Sequence, residues 1–191
     1  MKFIGIVGSP RKGGNTEILT QKALEAAQSE GIETELKTLA GKTIKPCDAC
    51  LSCRKTGKCH IKDDLPPILE KMLEADGIIL ATPVYFGSAT PQIKALIDRS
   101  GFSTRDPARV RMPFENKVGG PIVVARRAGQ NFTYAQLMFF FMITGMIVPG
   151  STYWNEAIGN NKGDVTNDEE GIKTIEYFGK KLAWLAKRIT K

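Results

Sequence analysis

Apolar runs and amphipathic stretches alternate along the whole chain. Phe3–Val7 is a short, wholly apolar or glycine-containing run that stops at Gly8, and it predicts a buried strand. Thr16–Ser29 repeats apolar residues at helical spacing (Ile18, Leu19, Leu24, Ala27) and ends before Gly31. Thr34–Leu39 alternates as a second strand. Asp63 or Asp64 then caps a helix with Pro66 and Pro67 in its first turn and Ile68, Leu69, Met72 and Leu73 on its inner side. Gly77–Ala81 reads as a central parallel strand. Pro91 opens a helix through Arg99, Lys117–Ala125 carries a fourth strand, and Tyr134–Thr144 the next helix. Met146–Val148 is expected as a short fifth strand, and Glu169–Ile189 as a closing amphipathic helix. Gly101–Asn116 is the longest piece without a pattern, expected to be a lid or a subunit contact.

Five strand–helix units imply α/β architecture, a parallel sheet covered on both faces. Right-handed crossovers leave the flavodoxin-like, doubly wound five-stranded order 2-1-3-4-5 as the simplest topology, with a cysteine-rich loop after strand 2. We expect one domain over residues 1–191, including the cysteine loop 45–62 and the helix at about 169–189. Charged residues are 25% and hydrophobic residues 42%, ordinary for a globular protein. Met1-Lys2 leads straight into the first strand without a signal-peptide pattern, and Leu137–Val148 is too short to span a bilayer. The expected location is the cytoplasm, with no membrane partner. A net charge of +7 comes without zinc-finger spacing, an RNP motif or a long basic run, which argues against nucleic acid.

The four cysteines of the chain, Cys47, Cys50, Cys53 and Cys59, fall in one short window as C-x2-C-x2-C-x5-C. Thiolates so spaced can turn inward on one loop and share a soft metal centre. Three cysteines in C-x2-C-x2-C supply three ligands of a ferredoxin cluster, and with no remote cysteine in the chain Cys59 is the candidate for the fourth. A tetrahedral zinc, with His60 as a substitute ligand, and a site of free thiols are the alternatives. Arg54, Lys55, Lys58, His60 and Lys62 crowd the same segment, where they could offset cluster charge or attract an acidic redox partner.

In such sheets ligands bind beyond the carboxyl ends of the strands. The first loop there, Gly8-Ser9-Pro10-Arg11-Lys12-Gly13-Gly14-Asn15-Thr16, reads as a phosphate cradle: Gly13 and Gly14 let backbone N–H groups turn inward, Ser9, Asn15 and Thr16 offer side-chain donors, and Arg11 offers charge. It lacks the Walker A lysine and the G-x-G-x-x-G spacing, so a monophosphate ester fits better than a triphosphate. The second, Thr82–Thr90, joins Pro83, Val84 and Gly87 to two aromatics, Tyr85 and Phe86, and could hold a flat heteroaromatic ring. The third, Ala125–Asn131, brings Arg127 and Gly129 to the far side of that ring.

A phosphate cradle and a ring slot suggest flavin mononucleotide (FMN). The segments 8–16, Thr-Pro-Val-Tyr-Phe-Gly at 82–87 and Lys-Ala-Leu-Ile-Asp-Arg at 94–99 resemble the NADPH-dependent FMN reductase superfamily. With the four cysteines added, the chain resembles the iron–sulfur flavoproteins of methanogens and other anaerobes. The resemblance implies FMN and a [4Fe–4S] cluster in a homo-oligomer, a dimer or tetramer, with ferredoxin as electron donor. It carries phosphate binding onto Ser9, Arg11, Asn15 and Thr16, and ring binding onto Pro83, Val84, Tyr85, Phe86 and Gly87. No acid–base pair or nucleophile stands out. The expected role is an electron-transfer flavoprotein, an FMN-dependent oxidoreductase passing electrons from ferredoxin through the cluster to FMN and on to dioxygen, peroxide or a quinone. An NAD(P)H-dependent FMN or quinone reductase without a functional cluster is the second expectation, and a flavodoxin-like carrier or redox sensor the third.

Overall fold

The computed structural model describes residues 1–104 and 112–189. The parallel strands are β1 (Lys2–Val7), β2 (Glu33–Thr38), β3 (Gly77–Pro83), β4 (Val118–Ala125) and β5 (Glu156–Ile158), in the order β2-β1-β3-β4-β5. The predicted topology is the one observed. The helices are α1 (Asn15–Ser29), α2 (Ser52–Thr56), α3 (Leu65–Glu74), α4 (Pro91–Ser103), α5 (Gln130–Ile143) and α6 (Glu169–Ile189), with a short 3-10 turn at Asp164–Asn167.

Successive residues of a strand point to opposite faces, and the two cores follow that rule. Ile78 and Leu80 of β3 join Ile4, Ile6 and Val123 beneath α3, α4 and α5, against Ile68, Met72, Ile93, Leu96, Leu137 and Phe141. Ile79 and Ala81 join Phe3, Ile122 and Val124 beneath α1 and α6, against Leu19, Leu24, Ile175, Phe178 and Leu182. A sheet covered on both faces presents its loops only at its ends, which is where the polar chemistry collects.

The fifth strand lies elsewhere than expected. Ile147 makes a single parallel bridge to Val118, through Gly119 N–H to Ile147 O (3.1 Å) and Ile147 N–H to Lys117 O (2.9 Å). The chain then leaves the sheet and returns as Glu156–Ile158 beside Val123–Ala125. The apolar triplet 146–148 thus occupies the lower half of the β4 edge, and β5 the upper half. Other limits move too. The α4 helix runs on to Ser103, past Gly101, and α5 begins at Gln130. The patternless 101–116 segment therefore starts inside α4, and its residues 105–111 lie outside the described part. No described helix is long and apolar enough to cross a membrane.

Candidate functional site

Three loops meet at the carboxyl ends of β1, β3 and β4. The first is stitched to its neighbour at the base. Gly8 N–H donates to Ala81 O (2.7 Å), and the buried Thr90 hydroxyl donates to Gly8 O (2.7 Å). Ser9 is buried, and its Oγ accepts Arg11 N–H at 3.2 Å. Gly14 stands at the N-cap of α1 with no side-chain cap. The first-turn N–H groups, of Asn15 and Thr16 among others, therefore have no intrahelical partner. Gly13 N–H already donates to a carboxylate, Glu17 Oε2, at 2.8 Å. Glu17, three residues after the cap, thus reaches back over the helix start as in a capping box, and Gly14 N–H donates to Arg11 O (3.3 Å), which leaves the N–H groups of Asn15 and Thr16 at the opening.

Two residues are placed differently from a bare reading of the loop. The Asn15 side chain does not face the cradle's centre with free donors. Its Nδ2 donates to Asn161 O (2.8 Å), while Oδ1 accepts Gly163 N–H (2.8 Å) and Val165 N–H (3.5 Å). It latches the 159–165 segment against the cradle, and Arg11 reaches the same segment through Nη1 to Asn160 O at 3.4 Å. That segment carries Lys162, whose Nζ lies 2.9 Å from where a Cβ on Gly13 would stand. The sequence gives no hint of this lysine, since it joins the cradle only through the fold.

The second loop is a tight hairpin. Tyr85 N–H donates to Ser88 O (2.8 Å) and Ser88 N–H to Tyr85 O (3.0 Å). Both residues between them have positive φ, Phe86 at 49° and Gly87 at 74°, as in a type I′ turn. Phe86 is fully exposed and Tyr85 is 42% exposed, so neither is a core residue. A bulky aromatic held at positive φ with no packing around it costs of order 1 kcal/mol or more, a strain characteristic of binding loops. The hairpin is fastened from α5: Gln136 Oε1 accepts both Ser88 Oγ–H and Ala89 N–H at 2.9 Å. Val84 N–H donates to Val124 O (2.8 Å). Gly129, at φ 96°, brings the third loop against the second; a Cβ there would meet Val84 Cγ1 at 2.9 Å and Gly87 Cα at 3.3 Å. Pro83 ends β3 at the same place, and Arg127 is exposed just beyond β4. The structure therefore brings the three loops together, with Arg127 at their rim.

The cysteine loop leaves β2 on the side of α3 and α4. All four cysteines are free thiols, Cys47 and Cys50 exposed, Cys53 and Cys59 half-buried. Burial pushes the Cys53 thiol up, and charge on Cys59, Cys50 and Cys47 pushes it further, so the four sulfurs share one electrostatic neighbourhood. Ala49 and Leu51, on either side of Cys50, hold φ of 57° and 59°. Two non-glycine residues in the left-handed region bend the chain around that thiol at a cost of about 1–2 kcal/mol each. Cys47 Sγ accepts Ala49 N–H at 3.5 Å, and Cys50 Sγ lies 3.2 Å from Ser52 Oγ. The short α2 packs on α4, with the Arg54 guanidinium 5.2 Å from the Phe102 ring centroid.

A tetrahedral zinc would set its sulfurs roughly 3.8 Å apart. Among the described residues the one group of three or more possible ligand atoms within 4.8 Å of one another is Asp48, Cys50 and His60, all exposed, with His60 Nε2 and Asp48 Oδ2 at 2.7 Å. His60 is thus engaged with a carboxylate, and the four thiols offer an all-sulfur, soft donor set.

Residues 1–161 match the family described as NADPH-dependent FMN reductase. An iron–sulfur flavoprotein of Methanocaldococcus jannaschii is 46% identical, over 100% of both chains. One of Methanosarcina thermophila is 39% identical, over 100% of this chain and 98% of its own. Among solved structures, RosB with bound 8-demethyl-8-formylriboflavin-5'-phosphate superposes with a TM-score of 0.79 at 21% identity, covering 100% of this chain and 80% of that one, a likeness of fold. The chain belongs to the NADPH-dependent FMN reductase family, among its iron–sulfur flavoproteins.

Proposed function

We propose that this protein is an electron-transfer flavoprotein holding FMN at the three converging loops and a [4Fe–4S] cluster at Cys47, Cys50, Cys53 and Cys59. The observation that carries the reading is the pairing of an uncapped helix N-terminus at the strand ends with a separate loop of four free thiols, two exposed and two half-buried. Bound, FMN takes electrons singly or in pairs and the cluster one at a time, so the two together convert between one- and two-electron chemistry.

The residues have distinct tasks. The N–H groups of Asn15 and Thr16, with Ser9 and Arg11, hold the phosphate, and Gly13 and Gly14 give the loop its close approach. Pro83, Val84, Tyr85, Phe86 and Gly87 line one side of the ring, and Gly129 and Arg127 the other. Arg54, Lys55, Lys58 and Lys62 are exposed around the cysteines, and no described carboxylate pairs with them, which suits an acidic one-electron donor such as ferredoxin. A second copy of the chain is proposed to cover the outer side of α5, where Phe139, Met142 and Ile143 are 71%, 68% and 60% exposed while Phe140 and Phe141 are buried. Dioxygen, peroxide or a quinone is the proposed acceptor class.

Anaerobic stopped-flow spectroscopy tests this reading. Flavin bleaching by reduced ferredoxin and not by NADPH supports it. Rapid bleaching by NADPH, in protein that never acquires iron on reconstitution, would replace it with the reductase reading, which the exposed ring-side aromatics Tyr85 and Phe86 favour. Turnover that stays slow with every donor and acceptor would favour a redox sensor. Anaerobic light scattering decides the oligomeric state, and a monomer would remove the α5 contact.

A further inference from the structure

We infer that Arg99 is a positioning residue for the cysteine centre, one that clamps both stems of the loop and donates a hydrogen bond to one of its sulfurs. The inference rests on the cluster reading above. Arg99 is 1% exposed, the largest fully buried side chain described. An arginine on a helix is ordinarily a solvated residue, and its charge is brought inside only where it is paired and hydrogen-bonded. Here the pair is Asp63, through Nη1 to Oδ2 at 2.5 Å and Nη2 to Oδ1 at 3.2 Å, with both side chains essentially inaccessible.

The other Nη hydrogens are turned to the cysteine loop. Nη1 donates to Lys45 O at 3.0 Å and Nη2 to Ile61 O at 3.3 Å, so one guanidinium holds the chain just before Cys47 and just after Cys59. Nη2 also faces Cys59 Sγ at 3.4 Å; with two hydrogens for three acceptors, it shares one of them between that sulfur and a neighbouring oxygen. Asp63 completes the clamp by accepting Lys45 N–H at 2.8 Å and Leu65 N–H at 3.1 Å. Burial alone would raise the Asp63 carboxyl, but the Arg99 bonds and these backbone N–H groups outweigh it and hold it below its usual range. Arg99 Nε is buried with no acceptor, so the two Nη groups make all of these contacts.

The planar guanidinium can face the carboxylate, both stems and the sulfur at once through its four Nη hydrogens, one of them shared, and an ammonium cannot. Hydrogen bonds to sulfur ligands are among the features that set an iron–sulfur potential. A donor held on Cys59 Sγ favours the more negative, reduced state of a cluster there. Arg99 thus gives Cys59 a role apart from the other three sulfurs.

The test uses the full chain in two variants. In Arg99→Met/Asp63→Asn the charges leave together, so no buried charge is stranded, and an acceptor remains for the Leu65 N–H. Arg99→Lys keeps the charge and loses the fork. Each is reconstituted anaerobically and titrated with dithionite, the electron source, while the EPR signal of the reduced cluster is followed. We expect FMN to stay at one per chain and the cluster midpoint to fall in the paired variant by tenfold or more in the reduction equilibrium, 59 mV for one electron, with Arg99→Lys between it and wild type. In the metal-free chains, trypsin should nick the loop at Arg54, Lys55 or Lys58 at least tenfold faster in the variants. A paired variant that binds FMN and takes up no cluster, where wild type does, supports the clamp. An unchanged midpoint in fully loaded variants overturns the inference; should the paired variant not fold, Arg99→Lys alone decides it. Wild type that takes up no iron overturns the cluster reading itself, a distinct result.

Discussion

Replacing Asn15 separates two roles that its position in the cradle allows. As a phosphate donor its loss would weaken FMN and leave the fold alone. As a latch its loss would loosen residues 159–165 and act on FMN only through them. The structure favours the latch. Asn15→Ala removes the 2.8 Å bonds to Asn161 O and from Gly163 N–H, and a long 3.5 Å contact with Val165 N–H that counts for little. Two neutral bonds at about 1 kcal/mol each give about 2 kcal/mol, and the better helix propensity of Ala returns a few tenths. The expected loss of apo stability is therefore about 1–2 kcal/mol, read as a lower urea midpoint at unchanged slope. Because Arg11 and Lys162 both lean on this segment, FMN should also bind more weakly, by about tenfold, while riboflavin, which lacks the phosphate, changes little. Asn15→Asp keeps an acceptor for Gly163 N–H and adds a negative charge beside the phosphate, so it should weaken FMN more than Asn15→Ala and leave riboflavin unaffected. Full stability with weaker FMN in Asn15→Ala would refute the latch and restore the direct donor.

Arg11→Ala should weaken FMN by about 1.5 kcal/mol, the lower end for a hydrogen bond to a charged group because Arg11 is exposed, as read by flavin-fluorescence titration. Cys59→Ser exchanges a soft thiolate for a harder ligand, so iron and sulfide should fall in elemental analysis while FMN stays near one per chain. Glu156 is raised by burial and then by the Asp168 charge, and its Oε2 has no partner. The native state therefore binds that proton more tightly than the unfolded chain, and stability drains away as pH rises through the carboxylate range. Glu156→Gln should be more stable than wild type in urea at pH 7 and indistinguishable from it at pH 3.

What was legible in the sequence was whatever left a local trace. Gly77–Ala81 could only be a central strand because every position is apolar or glycine, and the cysteine spacing announced itself. The true β5 carries one buried residue, Ala157, between Glu156 and the exposed Ile158, so it has no hydrophobic signature. The triplet Met146–Val148 had that signature and obtained only a bridge. Arg99 was visible as part of a motif, but no pattern within a helix distinguishes a solvated arginine from one turned in upon a distant aspartate. Lys162 and the Asn15 latch connect parts of the chain far apart in sequence, where periodicity and spacing have no reach.

The two cofactor loops are independent in sequence and joined through one helix. The α4 helix starts at Pro91 directly after Thr90, whose hydroxyl binds Gly8 O and whose N–H binds Thr82 Oγ1 at 3.1 Å, so its first turn is fixed to the flavin loops. Arg99, further along the same helix, holds the cysteine loop. At 1.5 Å per residue the two anchors are roughly 13 Å apart along the axis. On the proposed assignment, α4 then ties the spacing between the cysteine loop and the ring slot to helix geometry. Because the flavin end of α4 is pinned by its own bonds, releasing Arg99 frees the cysteine loop without moving Thr90. Changes at the cysteines should therefore leave flavin affinity intact, whereas a change at Thr90 should disturb flavin affinity and the placement of the cysteine loop together.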